Sequence, residues 1–396
     1  MNNAINNENK KLNVPNSTDK GNVIRNVPHL RFPEFEGEWE KCKLGDKCDL
    51  LCGYAFDGKN IVEQGTYLLM RGINITEGII RHSSELDRYY TGSVNNLAKY
   101  KLTTGDLVIG MDGSKVGRNS AIVSLTENGS YLVQRVCRIK SCIGNDFILQ
   151  LVNNHKFHKY VDMVKTSSAI PHISLKDIQN FPIAVPSIQK EADKISRLFH
   201  LLDERIATQN KIIEKMQTLI KGIAHKVSKQ GKPNIRLSEC LLCTSSTLQE
   251  SAVAEVGAYP VYGANGIVGY LDTYNTTSEA IYIIKDGSGV GAVSCVKGKC
   301  SATGTLNILQ TKEGFSLRYL YFILKVFSFE PYKTGMAIPH IYFKDYGKAK
   351  IYCPSNQLQC KYADLLSKIE QKATAEQKIL DNLCSQKQYL LCQMFI

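Results

Sequence analysis

Two long stripes of apolar residues dominate the pattern of hydrophobic and polar positions. In the first, Ile188, Ala192, Ile195, Phe199, Leu202, Ile206, Ile213, Met216, Ile220, Ile223 and Val227 recur at alternating steps of four and three, with Gln209 the polar member. That alternation is the seam of a heptad-repeat helix. Pro186 and Ser187 stand just before it, a suitable helix start. A second stripe runs through Tyr362, Leu366, Ile369, Ala373, Glu376, Leu380, Leu383, Lys387, Leu390 and Met394, with Glu376 in the place of Gln209. At 1.5 Å per residue, either stripe makes a rod of about 60 Å. Such seams cannot stay in water. The simplest solution pairs the two helices as an antiparallel coiled coil; the alternative packs each helix on its own globular part.

The remaining chain reads as strands and turns with a few helices. "GDLVIGM" and "NSAIVSL" flank "DGSKVGR", and "EAIYIIK" and "AVSCVKG" flank "DGSGVG". Strand, Gly-rich turn, strand is a hairpin pattern. The resemblance between these two hairpins belongs to an internal duplication. "AIPHISLKD" (Ala169–Asp177) returns as "AIPHIYFKD" (Ala337–Asp345), "FPIAVPS" is answered by "AKIYCPS", and the two helices match after a one-residue slip. The predicted class is α+β, with two mixed α/β domains joined by two long helices in a pseudo-two-fold repeat. The divisions are a disordered polar tail over 1–28, a first domain over 29–187, a first helix over 188–232, a second domain over 233–355 and a second helix over 356–396. The helices and the phrase before them are alike, whereas the globular parts have diverged. "AIPHI" itself is expected to be a joint, its proline restraining a turn and its isoleucines anchored in the core. His172 and His340 have no partner at catalytic spacing.

Charge and chemistry then narrow the function. A formal net charge of +12 suits a polyanion binder. The thirteen cysteines are odd in number and scattered; only Cys240 and Cys243 form C-x-x-C, so free, mostly buried thiols are expected and no metal site. His155 and His158 are expected on a solvated helix face. No apolar run spans a bilayer and the N-terminus lacks an apolar signal core, so a cytoplasmic protein is expected. "GSGVGA" lacks the following helix and acidic residue of a dinucleotide site, and no P-loop or amino-methyltransferase D-P-P-Y tetrapeptide occurs. Catalytic residues: none. The candidates are instead for binding. In the D-G-S-x-V-G turns, small residues such as Ser114 and Ser288 let backbone N–H groups approach a phosphate, and Lys115 and Arg118 add charge. Arg71 and Asn74 in "MRGINI", and Tyr262 and Asn265 in "VYGANG", are side chains suited to base edges. Tight turns without a ligand are the plain alternative.

"HLRFPEFEGEWEKCKLGD", the twice-written "AIPHI…KD", the P-S helix start and "LLDERIATQNKIIEKMQTLIKGIAHKV" together resemble the specificity subunit of Type I DNA restriction-modification systems, over nearly the whole chain from His29. The resemblance implies two target-recognition domains, each reading one half of a bipartite, asymmetric site on double-stranded DNA. It implies that the helices set the spacer and dock two methyltransferase subunits, with restriction (translocase-nuclease) subunits joining that core. The seam residues Ile195, Phe199, Leu202, Ile206, Ile213, Met216, Leu366, Ile369, Leu380 and Leu383 would serve this frame. S-adenosylmethionine, ATP and magnesium would belong to the partners, and the chain would be non-catalytic. Half-sites would lie about one helical turn, roughly 34 Å, apart. The alternatives are a methyltransferase or nuclease chain with its own activity, or a coiled-coil scaffold without a DNA role.

Overall fold

The computed structural model describes residues 26–287 and 289–396. Most of the segment read as a polar tail lies outside the described residues; within them, the Asn26 carbonyl already accepts the Trp39 N–H at 2.7 Å. Contacts divide the chain into two compact units. One holds the described residues up to Leu202 together with Ser385–Ile396, and the other holds Asp203–Cys384. No helix among the described residues is long and apolar enough to cross a membrane.

The first unit is built on a four-stranded antiparallel sheet in the order Cys48–Cys52, Val136–Ser141, Leu107–Gly110, Ser120–Ile122. Its strand "LVIG" is apolar throughout because both faces are covered. Leu107 and Ile109 face a core with Trp39, Phe147 and Phe157, while Val108 faces a second core with Met70 and Leu132. A smaller sheet orders Ile61–Val62, Tyr89–Tyr90, Tyr67–Met70 and Tyr131–Leu132, the last pair parallel. Glu40–Lys43 pairs with Pro182–Val185 beneath the helix start.

The second unit repeats this plan. Its main sheet runs Leu241–Ser245, Leu306–Thr311, Ala280–Ile284, Val293–Val296. Ile281 and Ile283 face one core, and Ala280 and Tyr282 the other. Tyr259–Gly263 sits between Gly266–Leu271 and, in parallel, Ser301–Ala302. Ile235–Arg236 pairs with Lys350–Ile351. The duplication read from the sequence is a duplication of sheet order.

The two stripes are helices over Gln189–Ser228 and Asn356–Gln393. Within the second unit they run antiparallel: Gln209 lies beside Glu376, and further along the Tyr362 hydroxyl donates to Gln230 Oε1 at 2.7 Å. Gln209 Nε2 donates to the Glu376 carbonyl (3.0 Å) and carboxylate (2.5 Å), so the polar positions the two stripes share are matched to each other. Lys372, with Gln209, holds the Glu376 carboxyl below its ordinary pKa. The seam also enters the globular cores, so both packing solutions are realised. Ala192, Ile195 and Phe199 join Leu391, Met394 and Phe395 in the first unit; Ile220, Ala224 and Val227 join Ala363 and Leu366 in the second.

A buried ion pair fixes the first helix start. Glu191 is fully buried and takes both Arg31 Nε and Arg31 Nη2 at 2.7 Å, with Trp39 Nε1 at 3.2 Å. The matching position of the second helix holds Gln359, also buried, which accepts the Ser316 N–H and donates to the Pro354 carbonyl. In the first unit, His82 braces the segment after Arg71 by reaching Asp87 (3.1 Å) and Glu127 (2.9 Å). Burial alone would lower its pKa, but the hydrogen bonds and charges of Glu127 and Asp87 outweigh that and raise it.

Arg31→Ala leaves the Glu191 carboxylate buried without its cation and should cost about 3–5 kcal/mol in urea unfolding. Glu191→Gln, which installs the residue of the second copy, should cost clearly less. The stabilisation His82 contributes should be complete below its ordinary pKa and lost as pH rises through the raised folded value. NMR titration should therefore place the His82 midpoint above 6.5, and His82→Gln should flatten that part of the stability profile.

Candidate nucleic-acid interface

The two repeated phrases of the sequence form a single site in each unit. Gly113 N–H donates to the Pro171 carbonyl at 3.0 Å, and Gly287 N–H donates to the Pro339 carbonyl at 3.0 Å. Ile173 N–H then reaches Met111 O at 3.0 Å, as Ile341 N–H reaches Lys285 O at 2.9 Å. The D-G-S-x-V-G turn is thus clamped to A-I-P-H-I by the same backbone bonds twice. The glycines have a conformational reason: Gly113, Gly117, Gly287 and Gly291 all take positive φ, between 71° and 96°. A Cβ on Gly117 would also fall 2.8 Å from Val161 Cγ2.

A-I-P-H-I itself closes a short outward loop. Thr166 N–H donates to His172 O (3.0 Å), and His172 N–H donates to Thr166 Oγ1 (3.0 Å). In the second copy Thr334 and His340 exchange both backbone bonds, at 2.9 and 2.8 Å. The expectation that isoleucines on both sides of the phrase enter the core needs correction. Ile173 and Ile341 are buried, but Ile170 and Ile338 are each 66% exposed, because the clamp turns the loop tip away from the sheet.

The turns do not hold their N–H groups free for a phosphate in the way the glycines suggested. Gly113, Val116, Gly117 and Arg118 N–H all bond to carbonyls within the clamp, leaving the exposed side chains of Ser114 and Lys115 as the outward polar groups. Lys115 Nζ pairs with Glu77 at 3.0 Å and Arg118 Nη2 with Asp162 at 2.6 Å. Both pairs are solvent-accessible, so neither cation is firmly committed. Ser288 lies outside the described residues. "AVSCVKG" does follow the second turn as a strand, Val293–Val296, as a hairpin requires.

Arg71 and Asn74 lie just after the strand that pairs in parallel in the first unit; in the second, Tyr262 stands near the end of the corresponding strand and Asn265 in the turn just after it. Their surroundings differ. Asn74 is buried and holds the segment together, accepting Arg71 N–H and donating to Arg81 O and Asp87 Oδ1. The side chain of half-buried Arg71 reaches only Leu86 O among the described residues, at 3.5 Å. Tyr262 packs edge-on against Tyr282, ring centres 5.9 Å apart, while Asn265 is exposed at a hairpin tip.

His158 does not stand on a solvated face. It is half-buried with its Nε2 enclosed and unpartnered, and burial followed by the nearby Arg118 charge lowers its pKa. The cysteines are all free, but only Cys137, Cys240, Cys300 and Cys353 are fully buried. Burial pushes Cys240 up to about 12, which suits a small apolar filler rather than a reactive thiolate.

One residue beside the turn had no sequence signal. Arg135 has φ of +73°, the lone non-glycine in that region among the described residues. Its carbonyl accepts the Met111 N–H at 2.9 Å, on the strand leading into the D-G-S turn. Its side chain is exposed, and no guanidinium partner is found among the described residues. Left-handed backbone at an arginine is strained, and such strain concentrates where ligands are held.

Known proteins share this architecture. A crystal structure of a Type-I restriction-modification system S subunit from M. genitalium superposes with a TM-score of 0.64 at 19% identity, covering 93% of this chain and 99% of that one. A chain from a structural study of complex assembly and conformational transition of the type I R-M system gives 0.50 at 15% identity, covering 92% and 98%. These likenesses show the fold. In sequence, the Type I restriction enzyme EcoAI specificity subunit of Escherichia coli is 29% identical over 186 residues, 45% of this chain and 30% of that protein. The EcoprrI specificity subunit of the same organism is 26% identical over 112 residues, 28% of each chain. The matched stretches thus span less than a third of either relative. The profile described as Type I restriction modification DNA specificity domain matches residues 36–218 and again 240–384. With one copy of that profile on each repeat, the chain belongs to the Type I restriction modification DNA specificity domain family.

Proposed function

We propose that this chain is the sequence-reading subunit of a Type I restriction-modification complex, each unit reading one half of a bipartite, asymmetric site on double-stranded DNA. The observation that carries the reading is the clamp of D-G-S turn and A-I-P-H-I loop, built identically in two units whose neighbouring loops have diverged. One frame with two different faces suits two different half-sites. Cations near the turn hold phosphates, and diverged loops reach base edges. The paired helices set the spacer and dock two methyltransferase subunits, which restriction subunits join. In this reading the chemistry, with S-adenosylmethionine, ATP and magnesium, resides in those partners and the chain is a cytoplasmic, non-catalytic subunit. Its basic surplus matches a DNA ligand.

Methylome sequencing of host cells with and without the chain should reveal a two-word methylated motif that depends on it. A heptad inserted into each long helix should change the gap and leave both words intact; changed words with an unchanged gap would remove the helices from the spacer role. Arg135→Gly offers a sharper local test. It relieves left-handed backbone, so thermal stability should rise by about 1 kcal/mol. If Arg135 touches DNA, cognate affinity should fall by about tenfold. Rising stability with unchanged affinity would take Arg135 out of the interface.

A further inference from the structure

The outward tips of the two A-I-P-H-I loops carry a feature that neither folding nor the clamp explains. Ile170 and Ile338 occupy the same place in the two copies and are equally exposed, at 66%. A single exposed isoleucine is ordinary on a protein surface. Two at one register, kept while the surrounding loops diverged, are not explained by surface composition alone. The loops are also stiff. Each is closed at its base by a threonine–histidine pair and tied to the D-G-S turn through a proline carbonyl. At the tip, Ser168 Oγ bonds to Ile170 O at 2.7 Å in one copy, and Gly335 takes φ of +89° in the other. The base of each loop is therefore ordered on folding, before any ligand is met. In the second copy Met336, fully exposed, stands beside Ile338.

Cations stand near both loops, and aromatic rings beside the second. The first loop is clamped to the turn bearing Ser114 and Lys115, whose strand is bonded to Arg135. Beside the second, the His340 ring meets Tyr342 edge-on at 5.1 Å, and Lys344 Nζ sits 5.1 Å from the Tyr342 ring centre. Lys176 and Lys344, six positions beyond each tip isoleucine, are both exposed.

We propose that Ile170 and Ile338 are wedges, one per unit, that insert at a base step of the DNA half-site their unit reads. Rigid loops with an apolar tip and flanking cations have the composition by which proteins part stacked bases while holding the neighbouring phosphates. Unstacking costs least at flexible pyrimidine–purine steps, so each wedge adds selectivity for such a step without a hydrogen bond to it. The inference rests on the DNA-reading function proposed above.

The test uses the complete complex with its methyltransferase subunits, on duplexes carrying 2-aminopurine at successive positions of each half-site other than the methylated base. Unstacking brightens the probe. Wild type should brighten one step in each half-site. Ile170→Ser should abolish the signal in one half-site and Ile338→Ser in the other, each with about a tenfold loss of affinity. Ile→Leu at either tip should retain both. Both serine variants alter exposed positions, so melting temperatures should stay at the wild-type value. Wild-type binding with no brightened step, or serine variants that keep it, would overturn the wedge and leave the DNA-reading function standing. Serine variants that lose methyltransferase subunits in gel filtration, with unstacking intact, would assign the tips to protein docking instead. Failure of the wild-type complex to bind any duplex would overturn the function and the wedge together.

Discussion

Every long helix must bury an apolar stripe, and here two stripes have more than one surface to cover. The first helix gives Ala192, Ile195 and Phe199 to one core and Ile220, Ala224 and Val227 to another. Between them it meets the second helix through Gln209 and Glu376. A heptad seam of uniform apolar residues would tolerate a slip of one repeat. The buried Gln209–Glu376 pair penalises such slippage, because a shifted register would leave the Gln209 amide buried without its two acceptors on Glu376. Register in turn decides which residues of each helix meet each core, so the rest of the architecture depends on this one polar layer.

How much of this could be read from one-letter code follows physical lines. The seams were legible because a 4-3 period survives any tertiary context, and the duplication because the clamp places glycine at four positions of positive φ and repeats the A-I-P-H-I phrase. The two hairpins were legible for the same reason. The direction of Ile170 and Ile338 was not, since an apolar residue beside a proline defaults to burial. The bonds from Gly113 to Pro171 and from Gly287 to Pro339, each joining residues far apart in sequence, turn the tips outward. Arg135 was hidden because a left-handed φ has no signature in a residue that is not glycine or asparagine. Asn74 looked like a base reader and is a buried brace, as its residue type serves both roles equally well.

The cations around the first turn differ in how available they are. Lys115 and Arg118 each lean on an accessible carboxylate, a pairing weak enough to be exchanged for a phosphate. The Arg135 backbone is tied to Met111, and its side chain has no carboxylate partner among the described residues. In the proposed function, the exchangeable pairs of Lys115 and Arg118 would cost little to break on meeting a polyanion.

The division of the chain into units carries a consequence for biogenesis. The second unit is one continuous stretch, Asp203–Cys384, whereas the first is closed by Ser385–Ile396, whose Leu391, Met394 and Phe395 pack around Trp39, Phe147 and Phe199. On a ribosome the N-terminal part of the first unit emerges before the second unit, yet its core lacks three side chains until all of the second unit has been made. The order of synthesis and the order of completion are therefore opposite. The early half must wait with an open apolar face while the later half folds, a window in which a nascent chain is exposed to aggregation and to chaperones.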